Sequence, residues 1–412
     1  MTAYQLIIAG SLTIILSYFF SEFSKKTNIP SVLMLILTGI IIGFYVDVDS
    51  DKLMQPLEVL GVVGLIMIVL EGALDLELSQ DKLSLIKHSS LMALLVLLGS
   101  VLVIGVSIHL SLRMDLWESF LFATPLSVIS SAIVIPSVEN LHGHKKEFLI
   151  YESCISDILG IMLFYLLLGM LENDNKLAEF GKFSMNLIVT IVISIFTSFG
   201  LIFLFKYIKS KVKIFLFLAI LIVLYAIEKS LHLSPLILIL FFGLMLKNNE
   251  LIFRGRLSGM ISRMELRLME RNFHIITRET AFVLRTFFFI VFGITMELNS
   301  LLDVRALLLS LAIVLILFLL RYAGLYLFGR ENMKPLLYIA PRGLITVLLF
   351  YTIPVDYHNH SFPTSVILYV VLITSLVMTY GLIKEKKATG GNRKTAPVEP
   401  VVDEDLLEDD LI

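Results

Sequence analysis

Long apolar runs alternate with short polar stretches along most of the chain. Most of the runs reach the roughly 17–25 residues that a helix needs to cross a bilayer. The pattern predicts thirteen spans, at 4–20, 30–46, 54–76, 89–112, 116–138, 147–171, 183–205, 213–228, 233–247, 279–298, 303–328, 334–354 and 362–383. The expected fold class is therefore an all-α polytopic membrane protein. Loop charge tests the arrangement. With the N-terminus outside, the inner loops and tail hold 24 of the 33 lysines and arginines, and the outer loops hold 6. The other 3, Arg285, Arg321 and Arg342, lie inside spans. Such a bias predicts N-out, C-in and an odd number of spans, with a cytoplasmic C-terminus.

Two segments depart from the pattern. Residues 250–275 mix Leu and Met with Arg at helical spacing, which predicts a helix lying on the cytoplasmic interface. From 385 onward the chain turns polar and then acidic, and 385–412 reads as a disordered cytoplasmic tail.

Composition narrows the function classes. Only 17% of residues are charged, against about 25% in soluble domains. A net charge of −2 predicts no nucleic-acid partner. The single cysteine, Cys154, excludes an internal disulfide framework and reads as a packing residue. The N-terminus lacks a basic n-region and reads as the first span. No Walker sequence, GxSxG elbow or zinc-spaced Cys/His cluster occurs, so no enzyme activity and no cofactor are expected. His142, His144, His358 and His360 read as solvated loop residues. Gly39 and Gly43 suit close helix packing.

The buried charges carry the functional signal. An ionisable group inside a span costs several kcal/mol unless paired or solvated. Glu71, Glu152 and Asp157 stand against Arg285, Arg321 and Arg342. At about 1.5 Å rise per residue, all but Asp157 fall roughly 8–12 Å from the cytoplasmic ends of their spans and can pair. Asp157 lies about 15 Å in, near the middle of the bilayer. Glu152 and Asp157 are about 140° apart around their helix. Glu152 is expected in a structural ion pair, Asp157 facing an aqueous cavity, and Glu71 and Arg285 in a secondary pair. The fifth span carries Ser127, Ser130 and Ser131 between Pro125 and Pro136. The twelfth has Arg342 between Pro341 and Gly343. Both helices are expected to break, freeing carbonyls and hydroxyls for a hard monovalent cation. Interrupted helices in matching halves point to a transporter site. Spans one to six (about 4–171) and eight to thirteen (about 213–383) form those halves, with 183–205 as a linker helix.

These features resemble the monovalent cation:proton antiporter superfamily, above all its sodium/proton exchanger branch, over roughly 1–384. NIPSVLMLILTGIIIG is similar to the family's second span and IMIVLEGALDLEL to its third. YESCISDILG resembles the acidic motif, with Asp157 on the ion-binding aspartate and Glu152 on the glutamate five residues earlier. Arg321 in LLRYAGLYL resembles the arginine that pairs with that glutamate, and PRGLIT the later helix break. Ser156 stands where the family has a first aspartate. Ile129-Ser130-Ser131 replaces the branch's Thr-Asp-Pro and is closer to the potassium-efflux branch. The resemblance implies two inverted repeats with discontinuous crossing helices, and a homodimer in the plasma (inner) membrane. It implies sodium, with lithium as second candidate, exchanged for protons in pH and cation homeostasis. Asp157, with Ser156, Ser153, Ser130 and Ser131, is the expected cation and proton site. Potassium/proton exchange, a channel or sensor on a transporter-like fold, and proton-coupled uptake of a small organic anion are the competing expectations.

Overall fold

The computed structural model describes residues 3–27, 29–45, 50–79, 81–139, 141, 143–172, 176–208, 213–231, 233, 235–252, 263–295, 303–327, 334–357 and 362–390. Among these it contains helices and turns and no strand. The helices are α1 (Ala3–Thr27), α2 (Ser31–Tyr45), α3 (Ser50–Asp75), α4 (Leu83–Leu112), α5 (Leu116–Ser127), α6 (Ser131–Ser137), α7 (His144–Glu172) and α8 (Lys176–Tyr207). They continue with α9 (Lys213–Ser230), α10 (Pro235–Lys247), α11 (Asn249–Ile252), α12 (Arg263–Ile294), α13 (Val304–Leu327), α14 (Leu344–Thr352) and α15 (Ser365–Gly390). Among the described residues, seven spans are each long and apolar enough to cross a membrane: α1, α4, α5 with α6, α7, α8, α13 and α15. The apolar helices α2 and α10 are shorter, at 15 and 13 residues. All-helical structure follows from the solvent: hydrocarbon offers the backbone no partner, so each spanning segment must satisfy itself.

Around the centre, α12 packs on α2 and α3, α10 on α3 and α8, and α4 on α5, α7 and α13. The helix α14 leans on α5. Leu12, Ile15 and Phe19 of α1 and Leu308, Leu315 and Leu319 of α13 are exposed apolar side chains, as lipid-facing surfaces require. Where α2 meets α12, Gly39 and Gly293 bring the backbones together. A Cβ on Gly39 would collide with the Ile290 carbonyl oxygen and lie 2.9 Å from the Gly293 Cα. Backbone cannot step aside as a side chain can. Gly39→Ala is expected to cost about 1–3 kcal/mol through overpacking, read as a lowered melting temperature in detergent.

Two boundaries differ from expectation. Residues 263–275 are the first turns of α12 and run without a break into the span, because Leu266, Met269 and Phe273 are buried against the bundle. The rest of that segment reaches α11 at Asn249–Ile252, and 253–262 lie outside the described residues. The helix α15 continues to Gly390, so the first residues of the expected tail, 385–390, are helical. The remaining 391–412, with His142, His358 and His360, lie outside the described residues.

Candidate functional site

Helix α5 starts at an Asp115 N-cap whose carboxylate accepts the Trp117 N–H at 2.9 Å. Near its other end Pro125 removes a backbone donor and strains the turn before it. After Ser127 the chain is extended, and α6 resumes at Ser131. The break frees three successive amides, and each finds a partner from another part of the fold. The Ile129 N–H donates to Ser156 Oγ, the Ser130 N–H to the Pro341 carbonyl and the Ser131 N–H to Asp157 Oδ2, all at 3.0 Å. Buried backbone groups must be paired, and this pairing fixes α6 against α7 and against the second break.

That second break is the extended stretch Ile339–Gly343, ahead of α14. The Arg342 amide donates to Thr374 Oγ1 at 3.1 Å and the Gly343 amide to Thr346 Oγ1 at 3.3 Å. The Arg342 side chain folds back across the first break. Its Nε donates to the Leu126 carbonyl at 3.0 Å, its guanidinium nitrogens to the Ser127 carbonyl at 3.1 Å and the Ala340 carbonyl at 2.5 Å. A cation thus sits on the last carbonyls of α5, where the helix dipole is negative.

This changes the expected charge balance. Glu152 and Arg321 form a two-pronged pair at 2.7 and 2.9 Å, with both side chains 1% exposed. Arg321 Nε also donates to the Leu336 carbonyl at 2.8 Å. Arg285 and Glu71 approach to 3.6 Å, and Arg285 donates to the Ala132 carbonyl of α6 at 2.8 Å. Arg342 has no acidic partner among the described residues. Three acids do not pair with three arginines, because the carbonyls freed by the α5 break take the third. The Leu126 and Ser127 carbonyls each accept one of the Arg342 donors.

Asp157 is 2% exposed and its second oxygen, Oδ1, has no partner among the described residues. The buried Ser130 hydroxyl is likewise unpartnered. Of the other serines, Ser153 is buried and donates to the Ile150 carbonyl at 3.1 Å. Ser156 Oγ is held by the Ile129 amide, and Ser131 meets Asp157 through its backbone. The crossing therefore gathers Asp157, Ser130, Ser131, Ser156 and Arg342, while Glu152 turns away to Arg321 and Glu71 to Arg285.

Beside the crossing lies a cavity of about 460 Å³ between α1, α3, α6, α7 and α12. Glu71, Asp75, Glu139, His274, Arg278 and Arg285 line it; Asp157 does not. At its rim Asp75 Oδ1 meets His274 Nε2 at 2.9 Å and Glu139 meets Arg278 at 2.6 Å. The Asp75 hydrogen bond raises the His274 pKa, with burial and the charges of Lys247 and Arg278 opposing. A raised value means the α3–α12 link is fully present below the ordinary histidine pKa of about 6.5 and is lost as pH climbs through the folded value. Melting temperature is therefore expected to fall as pH rises above the ordinary histidine value of about 6.5, and His274→Gln to flatten that fall.

Sequence reading missed several of these groups. Thr374 and Thr346 anchor the second break, and nothing in an apolar run marks one threonine above another. Asn248 is buried, accepting from the Leu78 amide at 2.6 Å and donating to the Leu76 carbonyl at 3.0 Å, which caps the end of α3. Glu228 of α9 is 4% exposed with an unpartnered oxygen among the described residues. Its place at the last residue of the eighth expected span was the available signal.

A multi-helix membrane bundle in which a broken helix crosses the extended lead-in of another helix beside a buried carboxylate has the architecture of a secondary transporter. Comparison with known proteins places it further. The chain belongs to the sodium/hydrogen exchanger transmembrane family, whose model matches residues 11–383. Membership makes it a multi-pass membrane transport protein rather than an enzyme. A curated relative, Na(+)/H(+) antiporter 1 of Methanocaldococcus jannaschii, is 26% identical over 165 residues, covering 39% of this chain and 38% of the relative. In structure, the sodium proton antiporter MjNhaP1 of the same organism at pH 8 superposes with a TM-score of 0.72 at 22% identity, over 95% of this chain and 98% of the other. An electron-microscopy map of MjNhaP1 gives a TM-score of 0.70 at 20% identity, over 96% and 100%. At these identities the structural likeness speaks to the fold.

Proposed function

We propose that this protein exchanges a monovalent cation for a proton across the inner membrane by alternating access, with Asp157 as the shared site. The observation that carries the reading is the pair of unpartnered oxygens among the described residues, Asp157 Oδ1 and Ser130 Oγ, buried where the α5–α6 break meets the extended stretch ahead of α14. A carboxylate there accepts either a proton or a cation, never both, so the two substrates compete for one charge. Ser130, Ser131 and Ser156 at the crossing, with Ser153 one turn earlier on α7, are the remaining candidate ligands, while Glu152 with Arg321 and Glu71 with Arg285 hold the helices. With one site carboxylate, one charge moves each way and the cycle is electroneutral. Family membership favours sodium, with lithium second. The serines at 130 and 131 favour potassium as the second reading.

The same reading takes the thirteen segments as crossings, N-out and C-in, arranged as inverted repeats about 4–171 and 213–383, in a homodimer whose apolar belt faces lipid. It assigns the protein to cation and pH homeostasis. Proteoliposomes carrying a pH gradient test it, with sodium, lithium, potassium or no cation outside. Proton movement that requires a cation, without net current, is expected. Conductance with no obligatory counter-movement overturns exchange, and a current coupled to turnover overturns the one-for-one ratio.

A further inference from the structure

Helix α12 has one face that no other described residue covers. Leu266, Met269 and Phe273 turn inward, with the Phe273 ring 5.6 Å from that of Phe242. On the other side Met264, Leu268, Arg271 and Ile275 recur at intervals of four, three and four, which sets them in one stripe along the helix. Met264 is 67% exposed, Leu268 50% and Ile275 51%. Arg271 is exposed and has no ion-pair partner among the described residues. The helix has 32 residues, about 48 Å at 1.5 Å each, against a hydrocarbon core of about 30 Å. Its first half, which holds the stripe, precedes the expected span at 279. An apolar stripe around a lone arginine is therefore left without hydrocarbon to cover it.

The chain carries a matching segment. Residues 401–412 comprise six acids, Asp403, Glu404, Asp405, Glu408, Asp409 and Asp410, and six apolar residues, with no base. Its tether starts nearby. Lys386 of α15 donates to the Lys26 carbonyl at 3.1 Å, and Lys25 lines the same cavity as Arg278 of α12. From Arg278 to Met264 is about 21 Å along the helix. The ten residues 391–400 span about 33–36 Å when extended, more than the roughly 21 Å from Arg278 to Met264. We propose that residues 401–412 dock on the Met264–Leu268–Arg271–Ile275 stripe of their own chain, apolar side chains on the stripe and carboxylates around Arg271. The docking does not depend on which ion the protein carries.

Paired cysteines in the full-length protein test this. L268C with L407C, oxidised mildly in vesicles of neutral lipid, is expected to cross-link within one chain about tenfold faster than Y326C with L407C, through its higher effective concentration. Tyr326 is an exposed control on α13. Replacing the six acids by Asn and Gln should remove the difference. So should raising salt from about 0.1 M to about 1 M, which shortens the screening length from about 10 Å to about 3 Å. Equal rates for the two pairs overturn the proposal, as does a fast cross-link indifferent to the acids and to salt. A cross-link formed only between chains overturns the same-chain assignment. A further measurement addresses the membrane as occupant. If position 268 is shielded from a water-soluble maleimide only when anionic lipid is present, with or without 401–412, the stripe is a lipid-headgroup surface and the proposal is wrong.

Discussion

Asp157→Asn is expected to reduce cation–proton exchange in proteoliposomes to the level of empty vesicles while leaving the protein folded. The amide keeps the shape of the carboxyl group, and its oxygen can still accept the Ser131 N–H now held at 3.0 Å. What disappears is the negative charge, and with it the competition between proton and cation. Stability should hold or improve, since a buried carboxylate with an unpartnered oxygen costs more free energy than a neutral amide in its place. A melting temperature at or above that of the parent, together with lost exchange, is the expected signature. Exchange at the parent rate would remove Asp157 from the site. Lost exchange with a collapsed melting curve would make its role structural.

The Glu152–Arg321 pair should behave in the opposite way. Arg321→Met leaves the Glu152 carboxylate buried without its partner, and is expected to cost about 3–5 kcal/mol. Glu152→Leu does the same to the guanidinium, although the Leu336 carbonyl still accepts from Arg321 Nε. The double variant removes both charges. It should be more stable than either single one, because a buried ion pair replaced by apolar groups of similar volume is often neutral in stability. A double-mutant cycle by thermal melting checks this. Additive losses would mean that the two side chains do not depend on each other, contrary to their two-pronged contact at 2.7 and 2.9 Å.

Much of this was legible in the sequence because hydrocarbon is a strict solvent. Apolar run length alone located helices such as α4, α7, α13 and α15. Rise per residue put Glu152 at the depth of Arg321, and angular offset turned Asp157 away from that pair. Proline and serine around 125–136 marked the first break. The contacts across the fold were harder to foresee. Arg342 reads as a charge in need of an acid; its partners are main-chain carbonyls, two at the end of α5, which stops at Ser127, and one at Ala340. Ser156 reads as a ligand beside Asp157, yet its hydroxyl accepts from an amide 27 residues earlier. The start of α12 reads as a surface helix because its arginines dominate the pattern. Leu266, Met269 and Phe273 bury its other side instead.

The three consecutive amides of the first break have a use beyond holding the fold. Each donates to a separate acceptor: Ile129 to a side-chain hydroxyl, Ser130 to the Pro341 carbonyl of the second break, Ser131 to the candidate ion carboxylate. Hydrogen–deuterium exchange at adjacent positions therefore reads three different events. Opening at Ser131 alone would record a carboxylate changing its occupant. Opening at Ser130 would record the two breaks parting. Loss of protection at all three would record α6 leaving its seat. The protein carries within one stretch of three residues a gauge that separates ion binding from helix movement, without a label and without following transport.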